Sequence, residues 1–532
     1  MQKRMLLGDE AIAQGALDAG MSGIYAYPGT PSTEITEYVQ NQNLDDKVRS
    51  DWSANEKTAM EAALGMSYAG KRSMVCMKHV GLNVAADPFM NAAITGVNGG
   101  MIIAVADDPS MHSSQNEQDS RFYAKFAMIP VMEPSNQQEA YDMAYEAFEL
   151  SERYKVPVMI RITTRLAHSR SIVSMSAGKA QNALKLPDNP TQFILLPSLA
   201  RKSYQRLLDL QSKFEEESTH SRYNRLIDGD DTSLGVISGG LSYNYLLENF
   251  EDFIVPHPVL KLSQYPLPHG MIESIYRKCD AILVLEEGYP LIEEMIKGVL
   301  GVEKQIHGKL DGSLPRTGEL TPDLVKQFLN SSRQEAIKIP DLVKNRPPAL
   351  CKGCSHADVY HALNEVMASY GKGRVFSDIG CYTLGALPPY NSIDTCVDMG
   401  ASVTMAKGAA DAGLIPSVCV IGDSTFIHSG MTGLLDAVRE DSPITVIISD
   451  NSTTAMTGGQ ESHATGRLVS ICAGLGVHPE HIHNLNPLKK YHTQNVEVLK
   501  KEIAYEGLSV IIAERECIQT ASRKKRQEKT KH

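Results

Sequence analysis

Residues 417–460, SVCVIGDSTFIHSGMTGLLDAVREDSPITVIISDNSTTAMTGGQ, constrain the fold more than any other part of the chain. Residues 417–421 have the pattern of a short buried strand, Gly422-Asp423 breaks it, and the spacing predicts a helix over 429–439. A second strand over 444–449 ends at Asp450-Asn451. Strand, helix and strand of this kind build a parallel sheet. Open parallel sheets bind ligands beyond the carboxyl ends of their strands, so Asp423 and Asn451 are expected to meet in one crevice although 28 positions separate them. A hard divalent cation takes oxygen ligands there, and Mg²⁺ keeps few protein ligands beside phosphate oxygens. An Asp after Gly ordinarily caps a helix. Asn451 at this spacing, and Thr-Gly-Gly-Gln at 457–460, favour the ligand-binding reading.

A chain of 532 residues exceeds one hydrophobic core, so two to four domains are expected. Apolar content of 42% and 40 glycines suit packed α/β domains, and a net charge of −11 argues against nucleic-acid binding. The basic run at 523–532 reads as a solvated, frayed tail. With no apolar run near ~18 residues and no signal-peptide core, a cytoplasmic protein is expected, with no membrane partner.

Residues 24–37 read as a strand, a Pro-Gly loop and a helix capped by Ser32 or Thr33. A helix over 52–69 carries Glu56 near its start, where a carboxylate usually complements the helix dipole. Strands follow at 73–77 and 101–106, with His79, Asn83 and Asp87 between them. Residues 107–119 read as a polar crevice loop, and helix 137–154 and strand 157–162 follow. Residues 169–192 read as a linker, and 202–217 as an exposed amphipathic helix. Strands at 234–238, 259–262 and 281–286 suggest a smaller domain ending near Asn345. Beyond the two prolines of RPPALCKGCSH, strands are expected at 374–377, around Val397, and at 417–421, 444–449 and 508–513. The domains therefore fall at 1–185, 186–345 and 346–520, with a basic disordered tail at 521–532.

Nine cysteines in such a chain do not read as a disulfide framework. Cys351-Lys-Gly-Cys354 is a two-thiolate chelate. Zinc would accept His356 or His361 beside it, whereas an iron–sulfur cluster takes four thiolates, with Cys381 and Cys517 as candidates. Cys76, Cys279, Cys396, Cys419 and Cys472 read as small buried side chains.

Residues 417–460 resemble the diphosphate motif of thiamine-diphosphate enzymes, Gly-Asp-Gly followed by Asn, with Ser424 in the third position. Such enzymes hold the diphosphate on one α/β domain and the aminopyrimidine on another, where a carboxylate faces the pyrimidine. Glu56 fits that part. The run AYPGTPS at 26–32, Asn55-Glu56-Lys57, MKHVGLN at 77–83, HSSQNEQD at 112–119, Cys351-Lys-Gly-Cys354 and Asp378-Ile-Gly-Cys381 resemble, in order and over nearly the whole chain, the large subunits of indolepyruvate:ferredoxin oxidoreductases. The resemblance implies three α/β domains, two of them thiamine-diphosphate-binding folds flanking a smaller transketolase-C-terminal-like domain.

It also implies oxidative decarboxylation of an arylpyruvate, with coenzyme A as acyl acceptor and ferredoxin as electron acceptor. Partners would be a smaller beta subunit and a second large subunit. Glu56 would be the aminopyrimidine partner, with Thr30 and His79 near the reacting carbon or the substrate carboxylate. Gly422, Asp423, Ser424, Asn451, Thr453, Met456 and Thr457 would contact the cofactor, and Asp423, Asn451 and the Thr453 carbonyl would hold Mg²⁺. Cys351, Cys354, Cys381 and Cys517 would hold a 4Fe-4S cluster. Pyruvate-using relatives carry Asn where Met456 stands, and a soft apolar side chain suits an aryl group. The family often continues into a ferredoxin-like domain, whereas this sequence stops about fifteen residues after Cys517, so electrons are expected to leave for a separate carrier. A non-oxidative thiamine decarboxylase or carboligase, and a zinc-bound structural subunit, are the competing readings.

Overall fold

The computed structural model describes residues 2–42, 47–189, 191–194, 197–299, 304–315, 318–329, 342–343, 349–396, 399–411 and 414–530. The expected strand around Val397 and the boundary near Asn345 fall partly or wholly outside them. The chain divides into two compact units, Met1–Lys338 and Ile339–His532, each α/β in construction.

Among the described residues, the first unit holds a seven-stranded sheet. Its strands run from edge to edge as Gln264–Tyr265, Val131–Met132, Val158–Thr163, Met101–Asp107, Ser73–Lys78, Gly23–Ala26 and Arg49–Trp52. All are parallel except Gln264–Tyr265. The central strands are buried along their whole length, as expected where helices cover both faces. Helix Gln137–Tyr154 is one cover. Asn136 starts it by accepting from the Glu139 N–H at 2.9 Å, and Lys155 ends it in the left-handed region. A five-stranded sheet follows in the order Gln305–His307, Ala281–Leu285, Leu234–Gly239, Val259–Leu262 and Arg225–Ile227, the last antiparallel. Strand Val259–Leu262 runs directly into Gln264–Tyr265 of the larger sheet.

Ionic groups close this junction. Arg121 and Arg161 are wholly buried. Arg121 meets Asp119 at 2.5 Å and Glu286 at 3.1 Å, while Arg161 meets Asp107 at 2.6 Å and Glu133 more closely still. Both arginines also donate to the Glu287 carbonyl. Charges removed from water survive only when paired in this way.

Residues 169–192 are not a free linker. Arg170–Ser174 forms an antiparallel strand with Lys3–Leu7, and the continuation is strapped to the unit through Lys179 N–H to Asp18 and Lys185 N–H to Ala69. The helix expected over 202–217 is two, Pro197–Asp209 and Gln211–Thr219, which bury Leu207 and Phe214. Ser32 stands at the N-cap position of helix Thr33–Gln40, as expected, but its side chain makes no capping bond. The Ser32 hydroxyl donates back to the Gly29 carbonyl, and the Thr33 hydroxyl accepts from the Gly29 N–H.

The second unit holds a six-stranded, all-parallel sheet among its described residues. The order is Thr395–Cys396, Val375–Ser377, Ser417–Gly422, Ile444–Asp450, Ser509–Glu514 and Ile482–Leu485. The last is an edge strand whose polar His483 and Asn484 hid it in the sequence. The helix expected over 429–439 starts earlier, at Asp423, and passes through a π-turn at Phe426–Gly430 before Met431–Arg439. Such widened turns cluster at functional sites. The basic tail is helix Ile518–Thr530, not a frayed end. Arg523 donates to the Gly458 carbonyl, and Lys524 pairs with Glu516 at 2.6 Å, giving the polar helix an anchor. Among the described residues no helix is long and apolar enough to cross a membrane.

Candidate active site

In the second unit the carboxyl ends of the parallel strands carry the predicted ligands. Asp423 follows strand Ser417–Gly422 and is 2% exposed, and its Oδ2 has no hydrogen-bond partner. Burial and the neighbouring Asp450 charge push its carboxyl up to about 7. A buried acceptor of this kind needs a proton or a cation. Asn451 follows strand Ile444–Asp450. Its Oδ1 accepts from the Thr453 N–H at 3.1 Å, leaving one lone pair, and its amide lies 3.3 Å from His356 Nε2. Ser424 and Thr454 join the two loops at 2.9 Å. The donor set, one carboxylate with amide and carbonyl oxygens, fits a hard divalent cation.

The Thr-Gly-Gly-Gln turn lies alongside. Gly458 and Gly459 have φ of +125° and +95°, where a side chain is strained, and Thr457 donates to Gln460 Oε1 at 2.6 Å. Met456 is 57% exposed beside this turn. Gly422 is required by close packing, since a Cβ there would lie 2.6 Å from the Tyr382 ring.

Cys351, Cys354, Cys381 and Cys517 line one cavity of about 110 Å³, together with His356 and Asn451. Cys351 and Cys354 precede helix Ser355–Met367, Cys381 opens the turn after strand Val375–Ser377, and Cys517 follows strand Ser509–Glu514. The Cys517 N–H donates to the Asn451 carbonyl at 3.1 Å, tying the cysteine cluster to the Asn451 loop. Burial, then the charges of the other three sulfurs, pushes the Cys381 thiol up to about 12. Burial likewise raises the Cys354 thiol, so a cationic centre would be needed to hold Cys354 and Cys381 as thiolates. His356 is buried, its ring held neutral with a pKa of about 4 by loss of water, and its Nδ1 is unpartnered. Cys76, Cys279, Cys419 and Cys472 are buried as expected. Cys396 is not, because the short strand that carries it is an edge, where its thiol lies 3.6 Å from the Asp378 carbonyl.

In the first unit, Glu56 opens helix Glu56–Tyr68 and is 5% exposed. It packs so closely on Gly81 that a Cβ there would lie 2.5 Å from its carboxylate. His79 is buried, and its Nε2 meets the Asn116 carbonyl at 3.1 Å. Lys78 donates to the Ser113 carbonyl at 3.1 Å, and the Ser113 hydroxyl to the Thr30 carbonyl at 3.0 Å. Thr30, Lys78 and His79 thus gather on the loop over 110–119. Asp108 holds that loop by accepting from Ser113 and Ser114, and is itself anchored by the Thr164 hydroxyl. Burial raises the Asp108 carboxyl, but these bonds outweigh it and keep it below the ordinary range.

Sequence reasoning missed Lys78, Asp108, Asp450 and Tyr382. Asp108 and Asp450 had a visible signal, each an acid at the end of a buried strand. Tyr382 had none, because its part depends on a ring reaching Gly422 across the fold.

The profile described as "Pyruvate flavodoxin/ferredoxin oxidoreductase, thiamine diP-bdg" matches residues 14–202. That described as "Thiamine pyrophosphate enzyme, C-terminal TPP binding domain" matches 378–511. The chain is therefore an enzyme subunit of the thiamine-diphosphate-dependent 2-oxoacid oxidoreductase class. The indolepyruvate oxidoreductase subunit IorA of Archaeoglobus fulgidus is 39% identical, over 99% of this chain and 88% of that protein. The IorA subunit of Pyrococcus abyssi is 37% identical over 97% and 86%. The chain belongs to this family, the alpha subunits of indolepyruvate:ferredoxin oxidoreductases. A solved 2-oxoglutarate:ferredoxin oxidoreductase of Magnetococcus marinus shares the fold with a TM-score of 0.50 at 15% identity. The match covers 61% of this chain and 64% of that one.

Proposed function

We propose that this chain is the catalytic subunit of an oxidoreductase that decarboxylates indolepyruvate, phenylpyruvate and 4-hydroxyphenylpyruvate. The reaction consumes coenzyme A, releases carbon dioxide and the aryl-acetyl thioester, and delivers two electrons singly through a 4Fe-4S cluster to ferredoxin. The observation that carries this reading is the meeting of four cysteines from distant parts of the chain in the cavity that also contains Asn451.

Asp423, with its unpartnered buried oxygen, Asn451 and the Thr453 carbonyl would hold Mg²⁺ against the diphosphate, with Gly422, Ser424 and Thr457 along it. Bound thiamine diphosphate supplies the nucleophilic carbon that lets a 2-oxoacid lose carbon dioxide. Glu56, buried at a helix start, would hold and move the proton at the aminopyrimidine. His79 and Thr30 would orient the substrate carboxylate. Met456 offers a polarizable apolar contact to an aryl group. Cys351, Cys354, Cys381 and Cys517 would ligate the cluster. The IorA name of the relatives supports a smaller partner subunit, and a hetero-oligomer with paired large subunits is the assembly proposed.

Metal analysis of anaerobically purified protein tests the reading. About four iron and four acid-labile sulfide per chain are expected. Metal-free cysteines would point to a non-oxidative decarboxylase, and zinc to a structural site.

A further inference from the structure

Helix Gly8–Asp18 starts hard against helix Thr164–His168, since a Cβ at Gly8 would lie 2.3 Å from the Leu166 carbonyl oxygen. Asp9 in the first turn of one helix is thereby brought to His168 at the end of the other. Glu34, in the first turn of helix Thr33–Gln40, completes a group of three. One oxygen of each carboxylate and one ring nitrogen of His168 all lie within 4.8 Å of one another.

Asp9 is wholly buried, and neither of its oxygens has a hydrogen-bond partner. The Oε2 of Glu34 is likewise buried and unpartnered, while its Oε1 lies 3.5 Å from His168 Nε2. Side chains at helix starts ordinarily accept N–H groups of their own first turn, as Asn55 and Asn136 do here. The two donor-less oxygens of wholly buried Asp9 are costly as an anion, whereas His168 keeps the Glu34 carboxyl charged. Two carboxylates and a neutral imidazole balance a doubly charged cation, and the imidazole favours a transition metal over Mg²⁺ or Ca²⁺.

We propose that Asp9, Glu34 and His168 form a binding site for a divalent transition cation of the Zn²⁺ or Mn²⁺ kind. None of the three belongs to the thiamine-diphosphate or cysteine sites. Helix Thr33–Gln40 begins directly after the Thr30 loop, and Thr164 holds Asp108 at 2.7 Å. A cation across the three helices therefore braces both loops and acts by positioning.

The test is anaerobic titration of the full-length protein with CoCl₂ as probe, with Mg²⁺ and thiamine diphosphate saturating. Cobalt bound by oxygen and nitrogen gives weak visible bands without the strong near-ultraviolet band of a thiolate complex. We expect such a species in the wild type, with affinity at least tenfold weaker in Glu34→Gln and His168→Ala, whose side chains are partly exposed and tolerate change. Thermal unfolding should rise by roughly 4 °C at a hundredfold excess over Kd, and not in the variants. Absence of thiolate-free cobalt from the wild type, or wild-type binding by both variants, would overturn the assignment. So would an Asp9→Asn protein that binds cobalt unchanged, since Asp9 then carries only a proton.

Discussion

A carboxylate with 2% exposure beside a second acid is unfavourable as an anion, and Asp423 resolves this by holding a proton near neutrality or by meeting a cation. Its folded pKa lies above its unfolded value. Between about pH 4 and 7 the native state therefore binds more protons, and without ligand this group costs stability as pH rises through about 7. Asp423→Asn in the absence of Mg²⁺ and cofactor should then be more stable than wild type at pH 8, by roughly 4 kcal/mol, with the gap closing towards pH 4. Chemical denaturation at the two pH values checks this. Asp423→Ala should lose Mg²⁺-dependent thiamine-diphosphate binding by at least about a hundredfold, measured by calorimetry. Glu56→Gln keeps the shape against Gly81 but cannot exchange a proton as a carboxyl does. Cofactor affinity should stay within about threefold, while proton exchange on the bound cofactor slows by about a hundredfold. An unchanged exchange rate would return Glu56 to the role of a helix-start charge.

At the scale of elements, the parallel sheet of the second unit gathers residues that the sequence keeps far apart. Strands Val375–Ser377 and Ser509–Glu514 flank Ser417–Gly422 and Ile444–Asp450, so Cys381 and Cys517 emerge at the same edge as Asp423 and Asn451. Cys517→Ser should leave thiamine diphosphate bound yet yield a labile or three-iron cluster and a steep fall in coenzyme A-dependent dye reduction. Electron paramagnetic resonance of the dithionite-reduced protein is the check, and an unaltered signal would pass the fourth ligand to His356 or Cys396. The central strands were legible because their apolar, β-branched runs have one use, and the gathering of Asp423, Asn451, Cys381 and Cys517 because strand ends of a parallel sheet share an edge. Strand Ile482–Leu485 and helix Ile518–Thr530 were not. One is a half-polar edge, and the other owes its place to Arg523 on Gly458 and not to an apolar stripe. The strand Arg170–Ser174 was hidden for a related reason, since its partner Lys3–Leu7 lies far from it in sequence, at the start of the unit.

At the scale of the molecule, the first unit carries Glu56, Thr30 and His79, and the second carries Asp423, Asn451 and the cysteines. Integrity of the first unit rests on the ionic junction between its sheets. Arg161→Ala leaves Asp107 and Glu133 buried without this partner, and should destabilise the unit by about 3–5 kcal/mol in thermal or denaturant unfolding. Co-expressed with the proposed smaller partner and assayed anaerobically with coenzyme A and an acceptor dye, the protein should turn over indolepyruvate, phenylpyruvate and 4-hydroxyphenylpyruvate at least about tenfold more efficiently than pyruvate or 2-oxoglutarate. A large aryl group gains apolar contact that a methyl group cannot, at about 25 cal/mol per Å² buried, so tenfold needs only some 55 Å² more contact. Met456→Asn removes part of that apolar surface and should narrow the ratio several-fold, through KM more than kcat. A wild-type preference for pyruvate, or a ratio that Met456→Asn leaves unmoved, would separate Met456 from substrate selection while leaving the cysteine and cation sites to their own tests.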